Sequence, residues 1–137
     1  MKIFIDTNIF LDLILKRDGY EEAMMILNSC SKEIFEGFVA DITLLNIDYV
    51  ASKQTKDIKD FLKAINRSFH VIGGDNGMFE SALKIDNDDL EDTLQYICAK
   101  QNICEVIITN DKGFYRTNDM RVMGSKEFIA NHIGHLQ

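Results

Sequence analysis

Apolar positions along this chain follow two rhythms that alternate. Short continuous runs rich in β-formers recur at Ile3-Phe4-Ile5, Phe38-Val39-Ala40, His70-Val71-Ile72 and Val106-Ile107-Ile108, each followed by polar or glycine breaks. Runs of this length between turn signals predict buried strands. Arg121-Val122-Met123 is a candidate fifth strand. Between the runs, apolar residues recur at helical spacing. Ile9, Phe10, Leu13 and Ile14 form one stripe, with Thr7 as the expected cap, and Gly19 closes that unit. A second helix is expected from Tyr20 to about Ser31. A third, capped by Asp41 or Thr43, carries Leu44, Leu45, Ile47 and Val50. A fourth starts at Thr55 and presents Ile58, Phe61, Leu62 and Ile65. A short helix covers Met78 to about Ile85. The clearest pattern is Leu90, Leu94, Ile97 and Cys98 behind an acidic start. Ser125 is the expected cap of a last helix that carries Phe128 and Ile129.

Strands that alternate with helices give a parallel sheet covered on both faces. The expected class is α/β, a three-layer α/β/α arrangement around a central parallel sheet of four to five strands. With 137 residues, no internal repeat and no linker, residues 1–137 are expected to form a single domain.

Composition narrows the class of function. Hydrophobic residues make up 46% of the chain, enough for a core without staples. Cys30, Cys98 and Cys104 are odd in number and widely spaced, so neither a disulfide framework nor a zinc signature is expected. Met1-Lys2 leads into Ile3-Phe4-Ile5-Asp6, and an apolar leader core does not carry an Asp so early. No apolar run reaches membrane-spanning length. Buried free thiols in the cytoplasm, with no membrane partner, are the expectation. The net charge of −7 argues against passive electrostatic binding of nucleic acid. It fits a chain that gathers carboxylates in one place, and Asp75, Glu80, Asp86, Asp88, Asp89, Glu91 and Asp92 lie against Lys84 alone.

Ligands of open parallel sheets bind beyond the carboxyl ends of the strands. Two strands end in Asp there: Ile3-Phe4-Ile5-Asp6 and Val106-Ile107-Ile108-Thr109-Asn110-Asp111. If those strands are neighbours, Asp6 and Asp111 share an edge, and Asp92, in the first turn of the acidic helix, points toward them. Carboxylates this close raise one another's pKa, and a cation removes the conflict. An all-oxygen set favours Mg²⁺ or Mn²⁺. Taken singly, Asp6 also suits a strand end, Asp89 and Asp92 a helix cap and its third-position acid, and Asp111 a turn before Lys112-Gly113. His132 and His135 lack a companion acid or thiol. Met24-Met25 reads as core packing. Lys16, Arg17, Lys53, Lys56, Lys112 and Arg116 suit either phosphate contact or solvated helix ends and loops.

Taken in order, four segments resemble the PIN-domain family over nearly the whole chain. They are Ile5-Asp6-Thr7-Asn8-Ile9-Phe10-Leu11-Asp12, Asp89-Leu90-Glu91-Asp92-Thr93-Leu94-Gln95, Ile107-Ile108-Thr109-Asn110-Asp111-Lys112-Gly113-Phe114, and Arg121-Val122-Met123-Gly124-Ser125-Lys126-Glu127-Phe128. The resemblance implies a ribonuclease that depends on Mg²⁺ or Mn²⁺, with Asp6, Asp92 and Asp111 as catalytic metal ligands and Asp89 as a helper. Asn8 and Thr109 would orient carboxylates. It also implies the toxin branch, with an RNA substrate and a small antitoxin protein as partner, and leaves room for a homodimer. One position departs from the family. Asn46 stands where the family places a Glu on the helix after the second strand, and Asp48 falls on the wrong face to replace it. That departure keeps open a catalytically inactive PIN-like module that binds RNA or protein. A third reading, an aspartyl-phosphate phosphatase, needs an acid where Asn8 stands.

Overall fold

The computed structural model describes residues 1–134. Its five strands form one parallel sheet: β1 (Lys2–Ile5), β2 (Glu36–Ala40), β3 (Phe69–Ile72), β4 (Val106–Ile108) and β5 (Arg121–Met123), in the order β3-β2-β1-β4-β5. The helices are α1 (Thr7–Ile14), α2 (Tyr20–Ser31), α3 (Asp41–Ala51), α4 (Ile58–Ser68), α5 (Asn76–Lys84), α6 (Leu90–Gln101) and α7 (Ser125–His132). No helix among the described residues is long and apolar enough to cross a membrane.

Side chains alternate across the sheet and so feed two cores. Ile3, Ile5, Val39, Val106 and Ile108 face α1, α2, α3, α4 and α7, where Phe10, Ile26, Ile47, Ile65 and Phe128 fill the space. Phe4, Phe38 and Ile107 face α5 and α6 through Met78, Ala82, Leu94 and Cys98. The result is the three-layer α/β/α arrangement expected from the pattern. Residues 109–120, which join β4 to β5, are anchored on the second core by Phe114 and Met120. Tyr96 and Lys100 of α6 also hold that loop, through Asp119.

Several helix starts differ from the sequence expectation, for one reason: the cap lies a residue or more from the first Ser, Thr or Asp that suits it. Asp6, not Thr7, occupies the cap position of α1, and Thr7 is the first helical residue. Ala40 precedes α3, so Asp41 opens that helix. α4 begins at Ile58 behind Asp57, three residues later than Thr55. Ser125 is the first residue of α7, and its N–H is taken by the Asn110 side chain (2.9 Å). Leu45 (70% exposed) and Leu90 (41%) lie off the buried faces assigned to them. Of the two methionines read as core, Met25 packs against the first core and Met24 faces solvent.

The sheet order fixes the position of the site. β1 pairs with β2 on one side and with β4 on the other, so the chain reverses its direction of travel between β1 and β4. In parallel sheets that switch point opens a crevice at the carboxyl edge. Ile5 lies opposite Ile108, which brings Asp6 and Thr109 together just past the strand ends.

Candidate metal centre

Asp6 is the most enclosed carboxylate of the crevice. It is 2% exposed and its backbone N–H continues the sheet to Ile108 (3.0 Å). Thr109 Oγ1 donates to Asp6 Oδ2 (2.7 Å) and Gln95 Nε2 donates to Asp6 Oδ1 (3.1 Å). Burial raises its pKa most; the bonds from Thr109 and Gln95 oppose that rise, and the Asp111 charge adds to it. Thr109 also accepts the Asp111 N–H (3.1 Å), so one hydroxyl ties together the ends of β1 and β4. Asp111 in turn accepts from Gly113 N–H (2.8 Å) through Oδ1, which fixes the turn that follows β4.

α6 brings its acids in by its first turn. Asp89 is the cap: its Oδ1 accepts the Asp92 N–H (3.0 Å). The helper role that resemblance gave Asp89 therefore competes with a cap, and its side chain stands exposed at the rim. Asp92 sits at the third helical position yet is only 6% exposed, with its pKa raised to about 7. Burial is the main cause, and the charges of Asp89, Asp6, Asp111 and Glu91 all push the same way.

Glu91 lines the cleft, Gln95 lies buried one helical turn behind it, and the sequence assigns a role to neither. Glu91 accepts from Asn46 Nδ2 (2.6 Å), Thr7 Oγ1 (3.1 Å) and, at long range, Gln95 Nε2 (3.5 Å). Burial raises its pKa first; the bond from Thr7 lowers it, and Asp6 and Asp89 raise it. Gln95 is fully buried, and its Oε1 has no partner. A glutamine inside the apolar run Leu94-Gln95-Tyr96-Ile97 is the signal that marks it, since a wholly buried amide needs a polar object to face. Asn46 is half-buried on α3 and directs its amide nitrogen at Glu91. Asp48 is exposed on α3, as its spacing required.

These side chains line one open cleft of about 340 Å³, whose walls include Asp6, Asn46, Asp89, Glu91, Asp92 and Asp111. Asn8 also borders it and is exposed, while the side-chain hydrogen bonds to Asp6 come from Thr109 and Gln95. Lys16, Arg17, Lys53, Lys56, Lys112 and Arg116 are all exposed, and Lys53 stacks over Tyr49. His132 packs its ring on Phe128 (4.8 Å between centroids), and His135 lies outside the described residues.

The donor set suits a hard divalent cation in its chemistry. It is all oxygen, it is concentrated at one edge, and none of the ion pairs among the described residues reaches these carboxylates. The side chains do not stand closed around an ion. No three acidic, His or Cys groups among the described residues are grouped tightly enough to hold one in their present rotamers.

Known proteins give the same outline. A family model of the PIN domain matches residues 2–113. "Ribonuclease VapC1" of Aquifex aeolicus (strain VF5) is 29% identical over 135 residues, spanning 93% of this chain and 92% of that protein. In structure, the chain resembles VapBC2 from Rickettsia felis bound to a DNA fragment from their promoter (TM-score 0.68, 16% identity, 90% of this chain and 98% of that one). It also resembles a toxin–antitoxin complex from Klebsiella pneumoniae (TM-score 0.64, 22% identity, 86% and 94%). At these identities the structural likeness is one of fold. The match over residues 2–113, together with the sheet order and the acids at its carboxyl edge, establishes that this chain belongs to the PIN-domain family.

Proposed function

We propose that this chain is a ribonuclease that hydrolyses RNA phosphodiesters with the help of Mg²⁺ or Mn²⁺, and that it is the toxin of a toxin–antitoxin pair acting in the cytoplasm. The observation that carries the reading is the convergence of Asp6, Asp92 and Asp111 on one cleft, without a paired Lys or Arg among the described residues. Likeness to a protein named as a ribonuclease, over nearly the full length of both chains, supports the substrate class. The toxin–antitoxin complexes among structures of the same fold support the second half of the proposal.

Asp6, Asp92 and Asp111 would hold the ion, with Asp89 at the rim. A bound Mg²⁺ or Mn²⁺ supplies a Lewis acid for the phosphoryl oxygens and lowers the pKa of an attacking water. The protein's part is to keep carboxylates ready for that cation. Thr109 and Gln95 fix both oxygens of Asp6, so the innermost carboxylate is oriented before any ion or substrate arrives. The Thr109 hydroxyl, which donates to Asp6 and accepts the Asp111 N–H, ties the backbone at Asp111 to the same carboxylate. The acidic cleft does not attract a polyanion by itself, which makes substrate binding depend on prior neutralisation by the cation.

The test is cleavage of end-labelled single-stranded RNA by the purified protein, with Mn²⁺ or Mg²⁺ and with excess chelator. Cleavage that requires the cation and leaves a 5′-phosphate supports the reading. Metal binding without cleavage of any RNA, including total cellular RNA, favours the inactive binding module instead.

A further inference from the structure

We infer that Glu91 is the fourth carboxylate of the cation site, and that Asn46 is a positioning residue that holds it there. The inference rests on the metal-site reading above and deepens it. The resemblance implies that Asn46 stands where the family places an acid on α3, and a neutral amide there would leave that corner without charge. The corner is not without charge. Asn46 Nδ2 lies 2.6 Å from Glu91 Oε1, so the acid reaches the α3 wall from α6. Thr7 Oγ1, which also contacts Thr43 Oγ1 (2.8 Å), fixes the second oxygen of Glu91 at 3.1 Å.

The placement is specific in three ways. Glu91 and Gln95 are four residues apart on α6, so both face the end of β1. Gln95 Nε2 reaches Asp6 Oδ1 and Glu91 Oε2, and thereby spans the two carboxylates with one amide. Every donor on Glu91 is neutral: an amide from α3, a hydroxyl from α1 and an amide from α6. A surface glutamate held only for helix stability needs none of these, because its charge is already favourable in the first turn of a helix. An ionised carboxylate accepts at about four lone-pair positions, so neutral donors orient it without cancelling its charge and leave acceptor capacity toward the cleft. A Lys or Arg at position 46 would orient Glu91 equally well and would cancel that charge.

An asparagine at position 46 is therefore matched to Glu91. Restoring a family-like acid by Asn46→Glu would set two carboxylates against each other where a donor now meets an acceptor.

Calorimetric titration of Mn²⁺ into the metal-free protein tests this, with melting temperature as a second readout. Glu91→Gln should weaken Mn²⁺ binding by about ten-fold or more, the effect of one lost charge near the ion. Asn46→Ala should weaken it several-fold in the wild-type background and leave it unchanged in the Glu91→Gln background, since its effect passes through Glu91. Asn46→Glu should lower the metal-free melting temperature below that of wild type. Wild-type affinity in Glu91→Gln would overturn the inference while leaving the Asp6, Asp92 and Asp111 site standing. Equal losses from Asn46→Ala in both backgrounds would overturn the positioning role. A wild-type chain that binds no Mn²⁺ would instead overturn the metal-site reading, and the inference with it.

Discussion

Asp92 is the carboxyl group of the cleft on which every neighbouring influence acts in one direction. Its pKa stands at about 7 in the fold against the ordinary carboxyl value of 3.8. Between those limits the folded chain holds a proton that the unfolded chain has released. Stability of the metal-free protein therefore falls as pH rises through this window, by up to about 1.4 kcal/mol per pH unit for one full proton. The stabilising contribution is complete below the unfolded value and is lost as pH passes about 7. Asp6 and Glu91 are also shifted upward and act with the same sign. Without metal, the melting temperature should be higher near pH 5.5 than near pH 8, about the two sides of the upper limit. Asp92→Asn should flatten that difference. Saturating Mn²⁺ should reverse it, because the cation competes with the proton for the same oxygens. Thermal denaturation at both pH values, with and without Mn²⁺, checks the sign.

At the scale of elements, the close approach of β2 to β3 makes a separate prediction. Gly37 lies beside Phe69 in the sheet, and a methyl group there would fall 2.4 Å from the Phe69 ring and 2.9 Å from Cys30 Sγ. Phe69 is itself held edge-on against Phe10, so it cannot move aside freely. Gly37→Ala should cost about 1–3 kcal/mol, read by urea denaturation, with no effect on metal affinity. Most elements were legible because their apolar rhythms are strong: Ile3-Phe4-Ile5 and Val106-Ile107-Ile108 have no alternative use as helices of that length. The acids at the strand ends were legible because β1 and β4 are neighbours, and a parallel sheet requires such ends to open on one crevice. In the sequence Asn46 shows only as a lost charge. Its partner Glu91 is 45 residues away, and no local pattern states which acid faces which amide. Gln95 is only a weak signal in the sequence because a single polar residue beside an apolar stripe is ordinary unless the helix is buried on nearly all sides, as α6 is. Caps were misplaced by a residue or more because Asp6, Asp41 and Ser125 all suit two adjacent positions, and tertiary partners decide between them.

Across the whole molecule, the two cores share the cysteines: Cys30 lies in the first, Cys98 and Cys104 in the second. All three are free and buried, and burial pushes each thiol up to about 12. Thiol reagents should therefore label the native protein at the rate at which it opens, and reductant should leave its melting temperature unchanged. Labelling followed over increasing urea measures this, and fast reaction of all three in native buffer would contradict the packing of both cores. The claim on which the rest depends is that the carboxyl edge of this sheet binds a divalent cation and cuts RNA with it. Asp6→Asn tests that claim most directly, because the substitution removes ligand charge at the innermost position and keeps the shape. The asparagine can still accept from Gln95, and the Thr109 hydroxyl can turn to accept its amide, so the fold should persist. Measured side by side with wild type on the same labelled RNA in Mn²⁺, and with native circular dichroism as a control, Asp6→Asn should lose cleavage by about a hundred-fold or more. Cleavage by folded Asp6→Asn at the wild-type rate would contradict the account.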